Sequence, residues 1–196
     1  MQQPFQYSTL KTLIFNYFHL VLLSFFLWCS CTDKENVSQG GFSQDIVTIN
    51  DTVTVNKLLK IENPFYSKTP ELVISYNTQA IELSKKIGYK EGQINGILNI
   101  GISYLSTGDY KKAKTNFLEA LQYSEEEMMQ ASVARSLGCL GMLSEKESNY
   151  AEGLAYYARS KEAFLSVEDS IGVIKCHLNI SNIYKVIGER AKAISF

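Results

Sequence analysis

The stretch Ile97–Ala120, ILNIGISYLSTGDYKKAKTNFLEA, decides the fold. Its apolar residues Ile97, Ile100 and Tyr104, then Tyr110, Ala113, Phe117 and Ala120, recur three and four apart, which is the period of an α-helix. Gly108 separates the two runs as a turn. Forty residues further on, Leu137, Leu140, Gly141, Ser148, Tyr150, Gly153, Tyr157 and Ser160 fall on the same frame without a gap. Another step of 40 places His177, Ile180, Ser181, Tyr184, Gly188 and Ala193 on it again. Two identical steps identify an internal repeat, and a repeat of this length is one supersecondary unit.

Each unit reads as an antiparallel helix pair. Small residues at Gly101, Gly141 and Ser181 let the facing helix approach, and Tyr104, Phe117 and Tyr157 fill the space between turns. One apolar face per pair is left over, and it is buried by stacking on the neighbouring pair. Proline, the residue that most reliably stops a helix, is absent after Pro70, so a long helical array is permitted there.

The pattern resembles the tetratricopeptide repeat, whose W-x-x-L-G-x-x-Y, A-x-x-x-F and A spacing it reproduces. Ile97 stands where that family has Trp and Glu125 where it has Pro. In the next unit Ser144 replaces the Tyr, and Gly153 and Ser160 replace alanines. The resemblance implies an all-α fold, an α-α superhelical solenoid of about three and a half helix hairpins. Its units are expected at 51–90, 94–133, 134–173 and, incomplete, 174–196. The period of 40, against about 34 for the family, is expected to lengthen the second helix and its exit turn, around Ser124–Ala131 and Ser166–Gly172. In the first unit, Asp51–Ile61 with Val55, Leu58 and Leu59 supplies the first helix. Thr69 as N-cap and Pro70 at the first helical position open the second.

Ahead of the array the chain changes character. Lys11 precedes Thr12–Trp28, a run without Asp, Glu, Lys or Arg, and the polar CSCTDKE follows at once. Such a charged start, apolar run and abrupt end describe a secretory signal. Ser30-Cys31 resembles the site of a bacterial lipoprotein signal, which implies a lipid on Cys31 and a membrane-anchored, extracytoplasmic location. An uncleaved transmembrane anchor is the alternative, since about 20 apolar residues span a bilayer. Residues 1–31 are therefore signal or anchor, and 32–50, polar with Gly40-Gly41, are a flexible linker.

The first helix of each unit lines the concave side of such a solenoid, where peptides are held. Carried onto this sequence, the inward positions are Asn95, Asn99 and Ile102, then Arg135, Met142 and Glu145, then Lys175, Asn179, Asn182 and Lys185. Asn offers a donor and an acceptor to a peptide backbone, and Arg or Lys meets a carboxylate. The competing reading is that Asn99 and Asn179 satisfy neighbouring backbone while the charges are solvated. The resemblance argues against the family's carboxylate clamp, because its positions hold Leu98, Ile102 and Cys139, with only Lys175 in place. Nineteen basic against 20 acidic residues give no electrostatic case for nucleic acid.

No phosphate-cradling loop, zinc-binding histidine pair or serine elbow occurs. His177 is the one histidine outside the apolar run, and it sits where the repeat packs a large residue. Cys139, Cys176 and His177 match no zinc spacing, and both cysteines read as buried small hydrophobes. The run Glu125-Glu126-Glu127 before Met128 solvates a helix end. The sequence thus predicts a non-enzymatic scaffold without cofactor or metal that binds a protein or peptide. The alternative is the sensory region of a signal-transduction protein of histidine-kinase or helix-turn-helix regulator type. Ile180, Ile183 and Ile187 are expected to be left partly uncovered, which predicts either a truncated product or self-association through the C-terminal end.

Overall fold

The computed structural model describes residues 52–195, so the expected signal or anchor, Cys31 and the linker lie outside the described residues. The regular structure of the described residues is all helix, without a strand: α1 (Thr52–Leu58), α2 (Pro70–Ile87), α3 (Lys90–Ser106), α4 (Tyr110–Glu126), α5 (Gln130–Lys146), α6 (Tyr150–Ser166), α7 (Ser170–Val186) and α8 (Arg190–Ile194). From α2 onward a helix begins every 20 residues, so the 40-residue unit is two equal half-steps.

The turns explain this regularity. A residue in the left-handed conformation follows each helix from α2 to α7: Gly88, Gly108, Met128, Ser148, Glu168 and Gly188. Each closes its helix in the same way. The Met128 N–H donates to the Glu125 carbonyl at 3.1 Å and the Met129 N–H to the Ser124 carbonyl at 2.9 Å, and the other five turns repeat the pair. These bonds satisfy carbonyls that a helix end otherwise leaves open. Because the turn is fixed by backbone bonds, a few residues suffice to reverse the chain each time.

Helices α3, α5 and α7 start at 90, 130 and 170, four residues ahead of the expected unit starts. The extra length of the repeat is therefore shared between both helices of a pair, each of 17 residues from α3 to α7, instead of residing in the second helix and its exit. Thr69 does precede Pro70 at the start of α2, but its side chain caps no helical N–H. Its hydroxyl lies 3.3 Å from that of Ser67, and its backbone N–H donates to Ser67 Oγ.

Consecutive helices pack antiparallel, and in addition α1 touches α3, α3 touches α5 and α5 touches α7. Among the described residues no such contact joins α2 to α4, α4 to α6 or α6 to α8. First helices are thus crowded and second helices spread, which curves the stack toward the first helices and makes theirs the concave side. The α3–α4 and α5–α6 seams close on the expected glycines. A Cβ on Gly101 would stand 2.5 Å from the Phe117 ring, and one on Gly141 would stand 2.7 Å from the Tyr157 ring. Between units, Gly172 does the same for Phe164. The largest core combines Ile94, Ile97, Leu98, Ile102 and Phe117 with Cys139, Leu140 and Leu143 of the next unit, so neighbouring pairs share one interior.

At the far end the outcome differs from expectation. Ile180 and Ile183 are buried with Tyr157, and Ser181 Oγ donates to the Ala193 carbonyl, so α6 and α8 cover that side of α7. Ile187 is exposed. The bare residues lie on another face: Ile174 and Leu178 are 58% and 59% exposed, whereas Ile94 and Leu98, two repeats earlier in register, are 0% and 4%. A following first helix covers the earlier pair.

Candidate functional site

On the concave side the first helices enclose a groove of about 500 Å³ that runs from α1 to α7. The 40-residue register builds its walls in rows. Asn95, Arg135 and Lys175 form one row, Asn99, Cys139 and Asn179 a second, and Leu98 with Gly138 and Ile102 with Met142 supply the floor between them. Rows arise because residues three, four and seven apart share a helix face. Tyr157 and Phe164 of α6 close the back, and Asn56, Leu59, Lys60 and Phe65 close the α1 end.

Seven of the ten expected positions line this groove, and Glu145, Asn182 and Lys185 do not. Glu145 and Lys185 share the repeat position of Leu105, which is buried, so that position faces the hairpin seam. Glu145 accepts a hydrogen bond from the Tyr157 hydroxyl there at 3.2 Å. Asn182 shares the position of Ile102 and Met142, but no later first helix among the described residues forms a wall beside it. Among the seven, Asn99 is committed inside the fold, donating to Asn77 Oδ1 at 2.9 Å and to the Leu59 carbonyl at 3.2 Å. Arg135 is partly committed, to Glu91 at 3.2 Å and to Ser132 Oγ at 2.9 Å. Asn95, Asn179 and Lys175 make no side-chain bond to another described residue. Cys139, Cys176, Lys60 and Phe65 join the lining beyond the ten expected positions. For Cys139 the sequence carries a signal, because it lies 40 residues from both Asn99 and Asn179.

Both thiols are protonated at neutral pH. Burial pushes the Cys139 thiol up to about 12, slightly opposed by the Arg135 charge. Burial also raises Cys176, opposed by its bond to Ser160 Oγ, to which the thiol donates at 3.3 Å while Ser160 donates to the Ala134 carbonyl. The Tyr157 phenol is held far above its ordinary range, by burial first and then by the Glu145 carboxylate. A nucleophile needs the opposite shift. Among the described residues no three His, Cys, Asp or Glu side chains are placed to hold a metal ion, and no helix is long and apolar enough to cross a membrane. What the groove offers chemically is apolar area, amides and cations.

No protein-family model matches the sequence, and no curated protein does. Solved structures do resemble it. Aspartyl phosphate phosphatase F from Bacillus subtilis superimposes with a TM-score of 0.66 at 20% identity, over 76% of this chain and 40% of that one. A Rap protein complexed with competence and sporulation factor gives 0.64 at 16%, over 72% and 39%. BtubC from P. vanneervenii gives 0.59 at 16%, over 80% and 63%. The chain thus spans less than two thirds of each of these proteins. At such identities the likeness establishes the fold, a helical-repeat solenoid of tetratricopeptide type, and no activity.

Proposed function

We propose that this chain is a non-enzymatic scaffold that holds a polypeptide in its concave groove. The observation that carries it is the groove itself: an apolar floor of Leu98, Ile102 and Met142 flanked by the unbonded amides of Asn95 and Asn179. Amides of this kind bond a peptide backbone whatever its sequence, and the floor takes side chains. The similar Rap protein bound to competence and sporulation factor supports the reading. Its test is a selection of displayed random dodecapeptides on the full chain in detergent, followed by binding to Gly138→Trp, which fills the groove from its floor. Selected peptides should lose at least tenfold in affinity. Equal binding to both proteins would overturn the proposal.

The same proposal tethers the groove outside the cytoplasm through a lipid on Cys31, supported by Ser30-Cys31 at the end of the apolar run. Mass spectrometry of the mature N-terminus tests it, and an unmodified Met1 would exclude it. A second reading, self-association, is favoured by the bare Ile171, Ile174 and Leu178 of α7. Sedimentation of wild type against Ile174→Glu/Leu178→Glu tests that reading, and a wild-type monomer at all concentrations would exclude it.

A further inference from the structure

The charges around the groove are not balanced. Lys60, Arg135 and Lys175 line it, against one carboxylate, Asp169. That carboxylate is engaged as the cap of α7, accepting from the Gly172 N–H at 2.9 Å. Arg135 is shared with Glu91, but neither Lys60 nor Lys175 makes a side-chain bond to another described residue, and the two stand at opposite ends of the groove. The whole chain carries a formal net charge of -1, so the positive groove is a local feature and not a reflection of composition. A concave site of one sign concentrates ligands of the other, since its low-dielectric walls focus the field.

We infer that the groove selects an extended acidic peptide: an apolar residue seated on Leu98, Ile102 and Met142, with carboxylates on either side reaching Lys60 and Lys175. This rests on the groove reading above and names the class of peptide it takes. The spacing follows from the repeat. Three steps between first helices, at about 8–10 Å each, separate the lysines by roughly 24–30 Å. An extended chain advances about 3.3–3.6 Å per residue, so the carboxylates lie up to about seven to nine residues apart, less what the flexible lysine stems reach inward. Ammonium groups on such stems meet a carboxylate as point charges, without the fixed fork of Arg. The selectivity is therefore for charge at each end and for apolar bulk between.

The experiment is the same dodecapeptide selection on the full chain in detergent, scored by sequence. Among peptides whose binding is lost on Gly138→Trp, Asp and Glu should be enriched on both sides of an apolar centre. A Lys60→Glu/Lys175→Glu protein should bind those peptides at least tenfold more weakly and, in a fresh selection, enrich Lys and Arg instead. Lys111→Glu/Lys114→Glu on the exposed side of α4 should change neither result. Groove-dependent peptides without acidic enrichment, or unaffected by reversal of Lys60 and Lys175, would overturn the acidic assignment and leave the groove reading standing. Failure to recover any groove-dependent peptide would overturn both.

Discussion

Asn99 donates its side-chain N–H to Asn77 Oδ1 across 2.9 Å, and Asn77 in turn donates to the Val73 carbonyl at 2.8 Å. Asn77 is buried, so its amide has no water to fall back on. The pair locks the concave surface of α3 to α2 and, through the Leu59 carbonyl, to the end of α1. Asn179, in the same row two repeats later, has no such partner among the described residues.

The two asparagines should therefore separate stability from binding. Asn99→Ala leaves the buried Asn77 oxygen unpaired, which costs about 1–3 kcal/mol, visible as a lower urea midpoint at unchanged slope. Asn179→Ala should leave the midpoint within about 0.5 kcal/mol of wild type and weaken selected peptides instead. The reverse pattern would show that the committed and uncommitted amides are misassigned.

A second contrast concerns glycine. Gly101→Ala drives a methyl to within 2.5 Å of the Phe117 ring, which is fully buried and cannot yield. Overpacking costs about 1–3 kcal/mol, more than the better helix propensity of Ala returns. At Gly138 the nearest atom to a new methyl is Ser160 Oγ at 3.4 Å, an ordinary contact. Gly138→Ala should raise stability by about 0.5–1 kcal/mol, the usual helix-interior difference. Urea melts of the two variants give opposite signs if the seam is as tight as described.

The turns allow a third test. Met128, Ser148 and Glu168 adopt φ of 54°, 61° and 57°, where a side chain other than glycine is strained by about 1–2 kcal/mol. At their counterparts Gly108 and Gly188 an added methyl would meet nothing within 4 Å, so the strain is in the backbone alone. Met128→Gly and Glu168→Gly should each stabilise by about 0.5–1 kcal/mol after the entropy of the freer unfolded chain is subtracted. Gly108→Ala should destabilise by a similar amount. Thermal melts read both directions.

These turns also show what is legible in the sequence. Gly108 and Gly188 stand out because glycine, tolerant of the left-handed region, punctuates two apolar runs, and Ser148 stands out by falling on the same register. Met128 and Glu168 occupy the same conformation but carry no such signature, so the 20-residue half-step hides behind the 40-residue one. The helix starts at 90 and 130 fall four residues before the expected ones for a related reason. Tyr89 and Met129 precede these helices without a side-chain cap, and their first turns lack the apolar spacing that marks the helix interior. The core positions are legible because period and bulk both mark them. The groove is legible by register, which puts seven of ten residues on it. Sequence does not show that Asn99 and Glu145 are spent on internal bonds, since a donor's partner depends on which neighbour the packing brings within reach.

Two repeat positions have changed their chemistry in concert. Lys112 lies over the Tyr104 ring at 5.0 Å and Lys192 over the Tyr184 ring at 5.6 Å. In the middle unit the same two positions hold Ser144 and Glu152, and there the Ser144 hydroxyl donates to Glu152 Oε2 at 3.2 Å. Glu152 also accepts from Asn149 Nδ2 at 2.7 Å. Ser144 is buried, so Glu152→Lys removes the acceptor of a buried hydroxyl and should cost about 1–3 kcal/mol. In a Ser144→Ala background the same substitution should cost at least about 0.5 kcal/mol less. A double-mutant cycle in urea measures the difference, and additivity would show that the hydroxyl and carboxylate act independently.

The last prediction follows from Cys139. Its thiol is raised from 9.0 to about 12 on folding, with burial as the main cause and the Arg135 charge opposing. The folded state therefore holds its proton more tightly than the unfolded chain. The associated stability is fully present below pH 9 and is lost as the pH rises through 12, where the folded thiol ionises as well. Between these values one such thiol lowers the unfolding free energy by on the order of 1.4 kcal/mol per pH unit. Cys176 and Tyr157 are raised in the same direction and steepen the fall. Urea midpoints measured from about pH 8 to about pH 11 should decline beyond the unfolded thiol's range, and Cys139→Ala should flatten part of that decline whatever it costs at neutral pH. In the same range, alkylation of Cys139 by iodoacetamide should track unfolding and not bulk pH. Alkylation of the folded protein at the rate of a free thiol would mean that the groove wall around Cys139 is open to solvent.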